Sequence, residues 1–535
     1  MDMGTARLKF TEQRRQTLQA EIDGHRSSVE RNRLGQFATP CALALEIAEQ
    51  TANLVGRPHG GIHFADPAVG SGAFFYAAVG VFGQKCIASA IGVELDPEFA
   101  SACQNLWGHF GLKVIPGDFT RIVGGGIVPR RPNLILANPP YVRHHHIHRE
   151  DKRRLQALVR QMTGVEINGL AGLYVYFLLL ATAWMEEAGF AAWLAPSEFM
   201  DVNYGMALKD FLTSRVTLHR IHRFAPEDVQ FGDAVVSSAV LFLRNSAPSS
   251  GHCVDFTFGG TITAPAAKER VPLSELRTAR KWSAYPHHAT NDRQRPSDGH
   301  GATLAHLFRI QRGIATGSNR FFIMTRADAQ RRELPPEFLH PILPGPRHLN
   351  RTVIEPESDG YPNLAPQLCL LGCHLPESAV AQRYPTLWRY LETAHGLGIR
   401  DGYLLGKRTP WYKQEQRIPA PFYCTYMGRG SHEKCPFRFI WNQSEAIATN
   451  LYLMLYPRAG LASMLQRFPR RAAELFALLA QITGDQLRGE GRVYGGGLQK
   501  IEPGELGRVS AVPIVARWPE LCVEAARPEP LTLFA

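Results

Sequence analysis

Between residues 60 and 245, short apolar runs alternate with helix-like stretches. HFADP runs into a helix from Gly72, SAIGVELD into a helix through Phe99 to Phe110, and LKVIPGD and NLILANPP follow. A chain patterned in this way is confined to an α/β fold, a mostly parallel sheet with helices on both faces. The uncharged run Leu170 to Met185 stops at Glu186 and Glu187 and is short for a membrane span, so it reads as a buried helix. GFAAWLAP, a helix from Tyr204 to Leu212, LHRIHRF and AVVSSAVLFL complete the region, which ends near Leu243. SAPSSGH and PHHATNDRQRPSDGHG have the composition of linkers or surface loops. A chain of 535 residues exceeds one ordinary core. The expected division is a basic helical extension (1–34), the α/β domain (35–245), a linker region (246–300) and a second, mixed α+β domain (301–535).

Lys and Arg outnumber Asp and Glu by 59 to 48, and 20 histidines can add charge beside an anion. A polyanionic partner such as nucleic acid fits that balance, as does an ordinary solvated surface. The polar start MDMGTARLKFTEQRRQ lacks the apolar centre of a secretory signal, so a cytoplasmic protein without a membrane span is expected. The nine cysteines read as reduced thiols. Cys369, Cys373, Cys424 and Cys435 do not have a familiar zinc spacing, and no metal is assigned.

FADPAVGSGAFF sets Asp66 at a strand end and a Gly70-Ser71-Gly72 turn before a helix, where the backbone approaches a ligand closely and helix amides attract negative charge. Glu94 ends the next strand about 20 residues on, the place of an acid that accepts ribose hydroxyls. Phe74 and Phe75 stand where a dinucleotide fingerprint needs its third glycine, which points away from a dehydrogenase. Asp118 follows the third strand, placed to meet an adenine amine, with Phe119 beside it for the ring. Asp118 reads equally as a turn residue or helix cap.

Asn138-Pro139-Pro140-Tyr141 ends the fourth strand. The lone pair of an adenine N6 amine is drawn into the ring, so a catalyst must accept both N–H bonds to return electron density to nitrogen. The Asn138 side-chain oxygen and the Pro139 carbonyl can do so, and the two prolines fix the turn without competing donors. Tyr141 can stack on the held base. The following Arg143, His144, His145, His146, His148, Arg149, Lys152, Arg153 and Arg154 read as phosphate contacts at the mouth of the site, or as a solvated loop.

Taken in order, these motifs resemble the class I S-adenosylmethionine-dependent DNA adenine-N6 methyltransferases of type II restriction-modification systems, in the gamma motif order. The resemblance covers residues 30 to 245 and implies a Rossmann-like, mostly parallel seven-stranded sheet followed by a DNA target-recognition domain. It assigns GQFATP, with Thr39, to the methionine end of S-adenosylmethionine. Asp66, Ala68, Gly70, Gly72, Glu94, Asp118, Phe119 and Asn138 complete the cofactor site. FGDAVVSSAV implies that Phe231 stacks on the second face of a flipped adenine opposite Tyr141; read alone, Phe231 also fits a core position. In the second domain Arg312, Asn319, Arg320, Lys413 and Lys500 are candidates for DNA contact. The implied partner is double-stranded DNA, met by a bacterial monomer that works alongside a separate restriction endonuclease and needs no metal. Two other readings stand beside this one: an RNA or protein-glutamine N-methyltransferase with the same tetrapeptide, and a non-catalytic specificity subunit.

Overall fold

A computed structural model describes residues 3–27, 30–31, 34–56, 61–123, 131–225, 228, 230, 237–286, 301–429, 436–494 and 498–522. The chain divides into two compact units, 1–291 with 494–496, and 292–493 with 497–535.

The first unit is built on one sheet. Its strands are β1 (Ile62–Asp66), β2 (Ile87–Glu94), β3 (Leu112–Pro116), β4 (Leu134–Ala137), β5 (Phe190–Pro196), β6 (Thr217–Arg223), β7 (Ser238–Arg244), β8 (Cys253–Gly260) and β9 (Pro265–Pro272), in the order β3-β2-β1-β4-β5-β7-β6-β8-β9. β1 to β5 are mutually parallel, and β7 runs antiparallel between β5 and β6. Every residue of β1, β4 and β5 is buried, as unbroken apolar strands covered on both faces require.

Helices α1 (Met3–Gly24), α2 (Cys41–Val55), α3 (Ala73–Phe82) and α4 (Pro97–Trp107) precede the short helix α5 (Phe119–Ile122). They are followed by α6 (Arg149–Thr163), α7 (Leu173–Trp184) and α8 (Met206–Ser214). One core cluster joins α2, α3 and α4 to one face of the sheet, and a second joins α6, α7 and α8 to the other. The expected buried helix is α7, whose residues Tyr174 to Thr182 are all buried.

The sheet has nine strands rather than the seven expected, and residues 253–272, expected in a linker, form the added pair. β8 continues the sheet parallel to β6, and β9 closes it antiparallel. β9 misled the sequence reading because it is an edge strand, PAAKERVP, with alternate residues exposed and prolines at both ends. Asn245 to His252 connects β7 to β8.

The second unit is mixed, as expected. A five-stranded sheet has the order β10-β18-β15-β17-β13, and a three-stranded sheet the order β11-β14-β12. These strands are β10 (Phe308–Arg312), β11 (Ile323–Thr325), β12 (Leu339–Ile342), β13 (Val353–Ile354), β14 (Leu368–Leu371), β15 (Phe422–Thr425), β16 (Met427–Arg429), β17 (Phe439–Asn442) and β18 (Tyr452–Pro457); β16 pairs with Leu498–Lys500. The helices Ala459–Arg467, Arg471–Ala480, Gly484–Glu490 and Pro503–Arg508 share a core with one face of the larger sheet. No helix among the described residues is long and apolar enough to cross a membrane.

Candidate active site

The carboxyl ends of β1, β2, β3 and β4 carry the motif residues to one edge of the sheet, where the chain must leave each strand and side chains are free of ladder bonds. After β1, Asp66 is 1% exposed. One of its oxygens accepts the Ala68 amide at 3.0 Å, and among the described residues no cation lies within ion-pair distance of it. Burial, with Glu94 nearby, pushes the carboxyl up to about 8, against the pull of the Ala68 amide. The turn that follows requires Gly72 itself: its φ is +94°, and a Cβ there would lie 2.5 Å from the Trp107 ring. Trp107 also donates to the Ser71 carbonyl at 2.9 Å, which fixes the turn against α4.

Glu94 ends β2 and binds the same turn from the other side. Its two oxygens accept the Gly70 amide at 2.8 Å and the Asp96 amide at 2.9 Å. Burial outweighs these bonds and raises its pKa. Leu95, the next residue, is 68% exposed, an apolar side chain left open beside the acid. At the end of β3, Asp118 caps α5: one oxygen accepts the Thr120 amide at 2.8 Å and the Thr120 hydroxyl at 2.7 Å. Phe119 does not lie open for a ring. It is 2% exposed, with Phe177 at 5.3 Å and Trp184 at 5.7 Å between ring centroids, because the first turn of α5 directs it into the helix layer.

Asn138 follows β4. Its Nδ2 donates to the Phe37 carbonyl at 3.0 Å and to Thr39 Oγ1 at 3.2 Å, so the GQFATP segment orients the amide. Its Oδ1 is buried and has no partner. The segment approaches the tetrapeptide closely: the Tyr141 amide donates to the Gly35 carbonyl at 3.2 Å, and a Cβ on Gly35, whose φ is +67°, would lie 2.5 Å from that nitrogen. Pro139 is buried and Pro140 half-buried. Tyr141 is 7% exposed, and its ring meets Phe37 at 5.5 Å, so it forms a wall of the site in this conformation rather than an open platform. Phe231 lies outside the described residues.

Two family models match the chain, together over more than half its length. "Eco57I restriction-modification methylase" covers residues 133–230, and "Type II methyltransferase M.Eco57I, C-terminal domain" covers residues 293–525. The chain belongs to the Eco57I-type restriction-modification methylases. It is similar to type II methyltransferase M.XamI of Xanthomonas campestris pv. amaranthicola, 27% identical over 508 residues that span 91% of this chain and 86% of that protein. Similarity to type II methyltransferase M.AccI of Acinetobacter calcoaceticus is 24% over 387 residues, 70% of this chain and 68% of that one. The type IIL restriction-modification enzyme MmeI, solved in complex with DNA, shares the fold at a TM-score of 0.57 with 11% identity, over 92% of this chain and 69% of that one.

In this Eco57I-type methylase the basic run after the tetrapeptide separates into two groups. Arg143, His145, His146, His148, Arg149 and Arg153 are exposed, with His144 to His146 in a single helical turn; Lys152 is half-buried. Arg154 is committed within the protein, donating to the Thr120 carbonyl at 3.1 Å and the Thr120 hydroxyl at 2.9 Å. Burial lowers the pKa of His144, with Lys152 acting the same way and Glu198 opposing. In the second unit Arg320 and Lys413 are exposed, and Asn319 accepts from Thr316 at 2.6 Å. Arg312 lies 4.3 Å from the Tyr426 ring centroid, and Lys500 is paired with Glu502 at 2.8 Å. Cys369, Cys373 and Cys424 are buried, Cys435 lies outside the described residues, and no cluster of metal-ligating side chains occurs among the described ones.

The sequence reading expected a helical extension over 1–34, where α1 lies, but missed what that helix holds. Arg15 is 3% exposed, forms a two-pronged pair with Glu12 and donates to Ser71 Oγ at 2.8 Å, while Ser71 donates to Gln19 at 2.7 Å. The helix treated as an extension thus holds the glycine turn. It missed equally the short Tyr204 to Glu198 hydrogen bond, with the Tyr174 phenol beside Tyr204. Neither group has a sequence signal, since each is assembled only by the packing of distant segments.

Proposed function

We propose that this chain transfers a methyl group from S-adenosylmethionine to N6 of an adenine flipped out of duplex DNA at a short recognition sequence, as the protecting half of a restriction-modification pair. The single observation that carries the reading is Asn138: a side-chain amide anchored through both its N–H bonds, with a buried oxygen left unsatisfied. A buried acceptor without a partner is costly unless a ligand supplies the donor. An adenine amine does so, and the bond it donates to Oδ1, with a second to the Pro139 carbonyl, returns electron density to the nitrogen that must attack.

The residues at the strand ends fit the cofactor. The free oxygen of Asp66 suits its ammonium, lone pairs remaining on Glu94 suit ribose hydroxyls, and the Gly70 to Gly72 turn leaves room at the backbone. Leu95 takes the apolar contact expected of Phe119. When bound, the cofactor supplies an electrophilic methyl on sulfur. The protein's part is placement: the GQFATP segment aims Asn138, Tyr141 and Phe231 hold the faces of the base, and exclusion of water strengthens the two acceptor bonds. The exposed Arg143 and Arg149 and the half-buried His144 and Lys152, with Asn319 and Arg320 of the second unit, take phosphate or base contacts. M.XamI and M.AccI, both named type II methyltransferases, support the duplex DNA substrate.

Expression in a host without adenine methylation, followed by single-molecule sequencing that detects N6-methyladenine, tests the reading. Modification at one short motif, absent with Asn138→Ala, is the expected result. Genomic DNA free of modified adenine, from folded protein that binds S-adenosylmethionine, overturns it.

A further inference from the structure

Among the described residues, one cation at the carboxyl edge of the sheet, Arg223, has no acid within ion-pair distance. Arg223 is the last residue of β6 and pairs across to Ala239 of β7. Its neighbour Ser238 begins β7 beside Pro196 at the end of β5, and its hydroxyl is near enough to act on the Tyr141 phenol, lowering its pKa against the effect of burial. Arg223 therefore stands at the same edge as the tetrapeptide, one strand spacing, about 5 Å, beyond the strand that neighbours Tyr141.

The guanidinium is held in place from two sides. It lies 5.0 Å from the Phe258 ring centroid and donates one terminal nitrogen to the Tyr285 carbonyl at 2.9 Å. Its Nε is buried without a partner, yet the residue as a whole keeps partial exposure. Among the described residues no carboxylate lies within ion-pair distance. Asp201 acts on it only from farther away and is itself engaged with the Ser283 amide. Two other partly buried arginines of this unit do face acids: Arg220 faces Asp255 at 3.5 Å, and Arg26 faces Asp96 at 2.6 Å. Burial pushes Arg223 down to about 10, the direction of a desolvated cation without an anion. Proteins ordinarily pair such charges, because an unpaired one is strongly destabilising.

We propose that Arg223 binds a backbone phosphate of the target strand next to the flipped nucleotide, so that the substrate supplies the missing anion. The inference rests on the duplex DNA reading above. A planar, fixed fork of N–H donors matches phosphate oxygens better than it matches a base edge in an extruded nucleotide. A base seated against Tyr141 carries its own sugar-phosphate along the same edge. Such a contact sets the position of the strand and carries no sequence information.

The test uses the full chain and duplexes with its recognition sequence in which one target-strand phosphate at a time is replaced by a neutral methylphosphonate. The native protein is expected to lose about 10-fold or more in DNA affinity at one position flanking the target adenine. Arg223→Gln is expected to lose a similar factor on the unmodified duplex and nothing further at that position, with the salt dependence of log K reduced by about one unit of slope. Its affinity for S-adenosylmethionine is expected to stay unchanged, and Arg223→Lys to recover part of the loss. A folded Arg223→Gln protein that responds to every methylphosphonate as the native one does, or keeps the full salt slope, overturns the proposal. Should the variants not fold, a flat response of the native protein at both flanking phosphates overturns it alone. A native protein that binds no duplex at all removes the DNA reading and this inference together.

Discussion

Two strand ends that follow one another along the chain, β3 and β4, hold their polar side chains in different ways. After β3, Asp118 has its bonds made locally, to the Thr120 amide and hydroxyl, with Arg121 3.4 Å from its other oxygen. After β4, Asn138 has both its N–H bonds made by the GQFATP segment and its oxygen left without a donor. The first arrangement caps a helix; the second leaves an acceptor open, as the proposed contact with a target amine requires. The same contrast separates the cations, for Lys500 is paired with Glu502 whereas Arg223 has no acid within ion-pair distance among the described residues. Residue type marks a polar group as a candidate, and the state of its bonds decides whether anything is left for a substrate.

Asn138→Ala should produce the largest effect, a fall of about 10²- to 10³-fold in the methyl-transfer rate, by analogy with removal of one positioned hydrogen-bonding group. Radiolabelled methyl incorporation at saturating substrates checks it. A smaller loss at Asn138 than at Asp118 would reverse the contrast.

Asp66→Asn should come next, with about 10- to 100-fold weaker S-adenosylmethionine binding by calorimetry, the size expected for losing one desolvated charge pair. The sign of the pH dependence sharpens this prediction. The Asp66 carboxyl is raised in the folded state to about 8, so its contribution favours the empty protein at low pH and is lost as pH rises toward 8. Cofactor affinity should move the opposite way, rising with pH up to about 8, and binding at pH 7 should release a proton that Asp66→Asn no longer releases. Calorimetry in buffers of different ionisation enthalpy counts that proton.

Gly35→Ala should destabilise by about 1–3 kcal/mol, because it combines a positive φ with a Cβ against the Tyr141 amide. Thermal unfolding measures it, and a methylation loss larger than the stability loss would show that the tetrapeptide had moved. Asp118→Ala should cost about 1 kcal/mol as a lost helix cap and leave methyl transfer within a few-fold. The smallest effect belongs to Lys500→Ala, whose paired ammonium should change DNA affinity less than about twofold, as exposed ion pairs usually do. A tenfold loss there would show that pairing within the protein does not disqualify a cation from DNA contact.

The strand-ending motifs were legible because their chemistry demands residue types at fixed places: Asp66 and Glu94 at successive strand ends, Gly72 where only glycine fits, Asn138 before two prolines. The buried helix α7 was legible from its apolar run. β9 was not, since an exposed edge strand carries the alternating polar pattern of a surface segment. Phe119 was misplaced because a motif gives the position of a residue and not the direction of its side chain, which here is set by packing on Phe177 and Trp184. Arg15 and Arg223 were invisible for a further reason: what singles them out is what lies beside them in space, Ser71 in one case and, among the described residues, no acid within ion-pair distance in the other.

The central claim is that Asn138 keeps an acceptor ready for an adenine amine, and single-turnover methyl transfer measured beside cofactor affinity in the same preparations tests it most directly. Asn138→Ala is predicted to bind S-adenosylmethionine within about threefold of the native protein while its transfer rate falls by at least about 10²-fold. A variant that binds the cofactor and transfers methyl at the native rate would contradict the account.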